Sequence, residues 1–304
     1  MTKSEEPGDI ALDNINESNP DDHSDKAYVN VRVISATVLS AVSAVVCLIA
    51  VFVIWIWKEK LPEEGEKIPA DWVNCNADLL PPANGLPSIL RCLELYTAAN
   101  VIWRYATGIP IAPRLLNSVC YRNILRAVED QSLLYRISCD LCIPLLLIEA
   151  VSVALLSIIT IRLDNGDVQK IILFVFIASA ILHMAILSAL QFVSLSKSGS
   201  QISFAIKVIA SVMFTICSPV VAFNHVKFIE KYACHSLVPP VYAIAEYLML
   251  LSNAAFHLTA LLDLCHLRFI VYPKTTSGEV RPYQDGGITS VAESKIVTVA
   301  DTSV

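Results

Sequence analysis

The chain has 304 residues, 55% of them hydrophobic and 16% charged, with a net charge of −6 at pH 7. Soluble domains average about 25% charged residues. Here the charge is also unevenly placed: Glu5, Glu6, Asp9, Asp13, Glu17, Asp21, Asp22 and Asp25 crowd residues 1–31, while long stretches between 33 and 271 carry almost none. This pattern excludes an ordinary soluble domain and an acidic binding surface, and no basic stretch interleaved with aromatics suits nucleic acid.

Residues 1–31 are polar, acidic and Pro-containing, and are expected to be a disordered tail because they cannot bury enough surface to fold. Residues 33–57 (VISATVLSAVSAVVCLIAVFVIWIW) form the clearest span, with Trp55 and Trp57 where indoles collect at an interface. With no cleavable signal before it, this run is read as a signal anchor. Residues 58–97 are read as a Pro-rich loop. Residues 98–121 hold Arg104, Arg114, Pro110 and Pro113 and score worst for passive insertion, because a central Arg costs roughly 2.5–3.5 kcal/mol. The further spans are 138–161, 171–195, 203–223 and 241–263, each near the ~20 residues that cross the hydrocarbon core. Residues 272–304 are expected to be a second disordered tail, ending in Thr302-Ser303-Val304, which fits a PDZ-ligand pattern.

The reading is thus an all-α, polytopic, six-helix transmembrane domain over residues 32–271. Lys and Arg near the helix ends favour both termini cytosolic, with Lys207 counted among the inner charges. Asn16-Glu17-Ser18 is the one sequon, and its glycosylation would overturn that topology. Of nine cysteines, Cys47, Cys120, Cys139, Cys142, Cys217 and Cys265 sit in or beside spans as small apolar residues. The Cys139-x-x-Cys142 pair lacks a second ligand pair and is not read as a metal or redox site. Cys75, Cys92 and Cys234 lie in loops and can pair if those loops face an oxidising lumen.

Ionisable groups at membrane depth are functional candidates by default. Arg104, Arg114, Glu149, His183, Glu246, His257 and Asp263 fall within spans. Glu246, Asn253 and His257 share one face of the last span, within about 40°. Ser211, Thr215 and Ser218 share a face of the fifth and are expected to point inward. One reading is a polar cavity open to the lumenal leaflet, where Arg104 holds a phosphate-like head group and His225 or Glu246 moves a proton. The plainer one is that these groups pair with each other, Arg104 with Glu246 for instance, and fix packing. His183 taken alone reads first as a helix–helix hydrogen-bonding residue. No nucleophile elbow, zinc motif or phosphate loop is present, so no metal or cofactor is expected.

Three segments carry a resemblance: Val101-Ile102-Trp103-Arg104-Tyr105 with Ala112-Pro113-Arg114; Phe176-Ile177-Ala178-Ser179 with His183-Met184; and Tyr242-Ala243-Ile244-Ala245-Glu246-Tyr247 with Asn253, Ala255-Phe256-His257, Thr259-Ala260 and Asp263. Together they resemble the family of post-GPI-attachment-to-proteins factor two, which is related to a fungal cell-wall protein that remodels GPI lipids and to damage-regulated autophagy modulators. The resemblance implies six spans, residence in the Golgi with the endoplasmic reticulum as a second site, and reacylation of lyso-GPI anchors with a saturated chain. GPI-anchored proteins and membrane lipids would be the partners. A shared polar interior would supply catalytic candidates Glu246, His257, His183 and Glu149, with Arg104, Arg114, Asn253 and Asp263 for the head group. A Cys75–Cys234 disulfide is likewise implied, with Cys92 the rival partner. The stretch from His225 to Cys234 is longer than in the vertebrate members, which puts a direct role for His225 in question. A non-catalytic scaffold of the autophagy-modulator type is the alternative function.

Overall fold

The structure, a computed structural model, describes residues 29–58, 75–76, 78–127, 132–161, 165–198, 201–271 and 298–300. The chain divides into two units, residues 31–268 with 298–304 and residues 1–30 with 269–297; the first holds the site. In order the elements are β1 (Val29–Arg32), α1 (Val33–Lys58), β2 (Leu86–Pro87), α2 (Ile89–Leu95), α3 (Thr97–Gly108), α4 (Ile111–Arg126), α5 (Leu133–Ile158), α6 (Gly166–Ser198), α7 (Gln201–Lys231), β3 (Leu237–Val238), α8 (Pro240–Leu258), α9 (Ala260–Asp263), β4 (Leu267–Val271) and β5 (Thr298–Ala300). Both expected tails lie outside the described residues except at 29–31 and 298–300. There, β-branched runs form short strands instead of staying structureless.

Among the described residues, five helical stretches are long and apolar enough to cross a membrane: Val33–Ile56, Leu133–Ile158, Gly166–Ser194, Gln201–Lys231 and Pro240–Asp263. Their polarity is inverted relative to a soluble protein. Leu39, Val42, Val46, Ile49 and Val53 of α1 are exposed, whereas Glu149, His183, Lys207 and Glu246 are each no more than 2% exposed. A lipid solvent selects that arrangement, since it rewards no burial of leucine and penalises any bare polar group.

The segment at 98–121 is not one helix. It breaks into α3, of 12 residues, and α4, of 16 residues, neither of which spans about 30 Å alone at 1.5 Å per residue. The Ile109 amide closes α3 on the Tyr105 carbonyl at 3.1 Å, and the Arg114 amide opens α4 on the Pro110 carbonyl at 3.0 Å. Pro110 and Pro113 therefore occupy a helix start, where their missing N–H costs nothing.

The expected loop 58–97 also carries structure. Its second half holds α2 and pairs β2 with β3 in antiparallel register, Leu86 opposite Val238 and Pro87 opposite Leu237. Gly85 is required there, because a Cβ would stand 2.9 Å from the Leu237 side chain. The Cys75–Cys234 disulfide, the Asn76 amide on the Tyr232 carbonyl (2.7 Å) and the Trp55 indole on Ser236 Oγ (3.0 Å) fasten this cap to α1 and to the α7–α8 connection. Tyr232 takes a left-handed φ of 39° at the end of α7, where glycine is usual, and turns the chain toward Cys234. Cys92 stays outside the disulfide, in the apolar cluster with Val51, Trp103 and Phe228.

The main core lies among α5, α6, α7 and α8, where Phe176 meets Phe214 edge-on at 6.1 Å and Leu173, Met184, Cys217, Met249 and Phe256 fill the layers. Ala180, Ala210 and Ala245 in the same core let the helices approach closely. Cys139 and Cys142 are part of this packing.

Candidate functional site

Glu149 sits inside α5 with 1% of its surface exposed, and four side chains turn toward its carboxylate. From α6, His183 Nδ1 is 3.2 Å from Oε2; from α8, His257 Nε2 is 3.1 Å from Oε1. Asn253, one turn before His257, donates to Oε1 at 2.9 Å. From α4, Arg114 Nη1 lies 4.0 Å from Oε1. The two imidazoles stack at 5.6 Å with planes 24° apart, and Phe256 meets His183 edge-on at 5.9 Å. A carboxylate at membrane depth persists only if donors satisfy it, and here every donor except Arg114 is neutral or titratable.

A small cavity adjoins this centre, lined by Arg114, Asn117, Tyr121, His183, Lys207 and His257. Across the cavity is a second polar cluster. Asp263 pairs with Lys207 and accepts from the Tyr121 hydroxyl at 2.7 Å and from Gln191 at 3.4 Å. The Lys207 ammonium also bonds Gln191 and lies 4.7 Å from the centre of the Tyr121 ring. This is a buried ion pair with its charges balanced, a geometry that fixes the helices against one another.

Of the residues expected to share a polar interior, Glu149, His183, Asn253, His257 and Arg114 converge, and Asp263 lies across the cavity. Two do not join them. Arg104 is exposed on α3, whose buried face is Ala99, Asn100, Trp103 and Ala106; its Nε instead donates to the Ser157 carbonyl at 3.1 Å, at the end of α5. Glu246 is buried but caps another helix. It accepts from Ser88 Oγ at 3.1 Å and from the Ile89 and Leu90 amides at 2.9 and 3.3 Å, covering the N-terminus of α2. The expected Arg104–Glu246 pairing is therefore absent. Arg91 of α2 stacks over Phe228 at 4.8 Å and reaches Asn224 at 3.4 Å; burial pushes its guanidinium below the ordinary value, with Glu246 opposing.

His225, expected in a loop, lies within α7 and is 3% exposed, beside a mostly apolar cavity with Glu94 and Gln169. Ser211, Thr215 and Ser218 do not form an inward stripe. Each hydroxyl bonds a carbonyl four residues back, and Thr215 is exposed. Lys207, Tyr121 and Asn117 on the cavity wall, and Gln191 beside Lys207, are polar residues outside the set of expected site residues. Lys207 reads as a topology charge from its place near a helix end, yet a lysine inside an apolar run is itself the signature of a buried partner, here Asp263, 56 residues on. No metal was expected, yet the ligand atoms of Glu149, His183 and His257 lie within 4.8 Å of one another.

A bundle of apolar-faced helices with a polar, partnered interior defines a multi-pass all-α membrane protein. Residues 33–267 match the Frag1/DRAM/Sfk1/Cwh43P N-terminal domain, and the chain belongs to that family. It is 32% identical over 274 residues to the uncharacterized protein C14B9.3 of Caenorhabditis elegans, covering 86% of this chain and 79% of that one. It is 29% identical over 192 residues to Post-GPI attachment to proteins factor 2 of Caenorhabditis briggsae, covering 60% of this chain and 70% of the relative. It is 28% identical over 185 residues to Acyltransferase PGAP2 of Xenopus tropicalis, covering 59% of this chain and 71% of the relative. No solved structure matches the chain.

Proposed function

We propose that this protein remodels the lipid of GPI anchors by supporting reacylation of a lyso-GPI with a saturated fatty acid, in the Golgi membrane, and so maintains GPI-anchored proteins at the surface. Its relatives point to GPI remodelling, and one carries the name acyltransferase. The observation that carries the chemical part is the Glu149 carboxylate held between two imidazoles beside a cavity that Arg114 also lines.

Reacylation forms an ester C–O bond between a lipid hydroxyl and the acyl carbon of a thioester or ester donor: the donor's C–S or C–O bond breaks, the hydroxyl proton leaves as the new bond forms, and the departing thiolate or alkoxide takes up a proton. A positioned carboxylate–imidazole set is suited to accept the hydroxyl proton. Arg114 lines the same cavity and is the cation placed to meet an anionic head group, while Lys207, also on the cavity, is already paired with Asp263. On this reading α3 and α4 together make the second of six crossings, with both termini cytosolic and the disulfide cap lumenal. GPI-anchored proteins and membrane lipids are then the partners, and a PDZ domain at the C-terminus is a further candidate outside the described residues.

The test is deletion of the gene followed by lipid analysis of recovered GPI proteins. The expected result is accumulation of the lyso form and reduced surface GPI protein; an unchanged sn-2 chain with normal surface level overturns the reading. Purified protein given lyso-GPI and an acyl donor then separates a catalyst, which forms product, from an accessory factor or scaffold, which does not.

A further inference from the structure

We propose that Glu149, His183 and His257 bind one divalent transition-metal ion, zinc by the nature of the donors. The three groups come from α5, α6 and α8 and converge on one point in the bundle interior. Two imidazoles and one carboxylate form the donor set of zinc sites that keep a fourth position open. Donors about 2.0–2.2 Å from a tetrahedral zinc stand roughly 3.3–3.5 Å from each other; here Oε2 is 3.2 Å from His183 Nδ1, Oε1 is 3.1 Å from His257 Nε2, and one donor atom from each of the three residues lies within 4.8 Å of the other two.

The surroundings fit an ion as well. Asn253 donates to Glu149 Oε1 at 2.9 Å, which orients the carboxylate as the outer partners of metal ligands do. His183 and His257 both line the cavity, so an ion between them and Glu149 has its open position facing free space. Arg114, 4.0 Å from Glu149 and also on that cavity, is placed to balance an anionic ligand at the open position. Softer thiolate donors are absent from the set, which disfavours a copper(I) or iron–sulfur assignment. The rival account is that the same distances are hydrogen bonds from two ring N–H groups to the carboxylate, with no ion.

This inference concerns the same centre as the acyl-transfer reading and alters its chemistry, since groups that ligate an ion cannot also be a free base and the ion would then activate the hydroxyl in their place; it is measured without that reading. The full-length chain is purified in detergent through a histidine-free tag, and its metal content is read by elemental mass spectrometry. About one zinc per chain is expected. His183→Ala and His257→Ala are expected to lose it, Asn253→Ala to weaken zinc affinity by about 10–100-fold, and Glu246→Gln to retain it. Should the histidine variants fail to fold, the wild type decides alone: stripped with a chelator and reloaded with cobalt, it should show the visible absorption of a four-coordinate ion. Folded wild type that holds well under about 0.1 metal per chain from zinc-containing buffers, and shows no cobalt spectrum, overturns the site. Metal retained at full level by both folded histidine variants overturns it equally. Metal present with GPI lipids unchanged on gene deletion rejects only the function; altered lipids with no metal reject only the ion.

Discussion

Glu149 and Glu246 are carboxylates with nearly the same burial, 1% and 2% exposed, on helices of the same bundle. Their partners separate them. Glu246 accepts two main-chain amides and a serine hydroxyl, donors that never change charge, and closes the N-terminus of α2. Glu149 faces two imidazoles, an amide and, at 4.0 Å, a guanidinium, three of which can exchange protons, hold an ion or bind an anion. Burial of an acid therefore marks importance without saying which kind. The donors that satisfy it tell a latch from a reactive centre.

The sharpest way to break the comparison is to neutralise each acid. Glu149→Gln is expected to lower reacylation of lyso-GPI by about 10²–10⁴-fold, the usual contribution of a positioned acid–base group, with the protein still inserted and folded by size-exclusion profile. Equal loss from Glu246→Gln at the same protein level would abolish the distinction. Asp263→Asn strands the Lys207 ammonium and should cost about 3–5 kcal/mol of stability, read as thermal unfolding in detergent; the double change with Lys207→Met should recover much of it. Cys75→Ser and Cys234→Ser should each cost about 2–5 kcal/mol, and the double variant no more than either alone. Glu246→Gln should cost about 1.5–3 kcal/mol, the value of hydrogen bonds to a charged group, with reacylation per folded molecule kept. Arg104→Ala, on an exposed face, should leave both readouts near wild type, since its carbonyl bond is worth about 1 kcal/mol. A large effect there would return Arg104 to the head-group role.

Much of this was legible from residue order. Apolar runs located α1, α5, α6, α7 and α8, and the spacing of Asn253 and His257 put both on one face, where both now meet Glu149. The disulfide came from the family resemblance rather than from spacing. The convergence of Glu149, His183 and His257 was not legible as a motif, because the ligands stand 34 and 108 residues from Glu149 and only tertiary packing brings them together. The capping contacts of Glu246 were not legible for a related reason. Its partners are main-chain amides 157 and 156 residues earlier, and backbone donors leave no mark in residue identity. The break at Pro110 had its signal in Gly108 and the two prolines, but a span of continuous helix was the simpler expectation.

The Lys207–Asp263 pair has a consequence for how the chain is made. Lys207 enters the bilayer on α7 some 56 residues ahead of Asp263. Until α8 and α9 arrive, the ammonium, near the start of α7, has Tyr121 and Gln191 to shelter it, and a charge within a span is costly, though less so than the roughly 2.5–3.5 kcal/mol at a helix centre. The final helix is thus a late-arriving counter-charge during biosynthesis. A chain truncated before it would leave a polar helix that membrane quality control can recognise and extract.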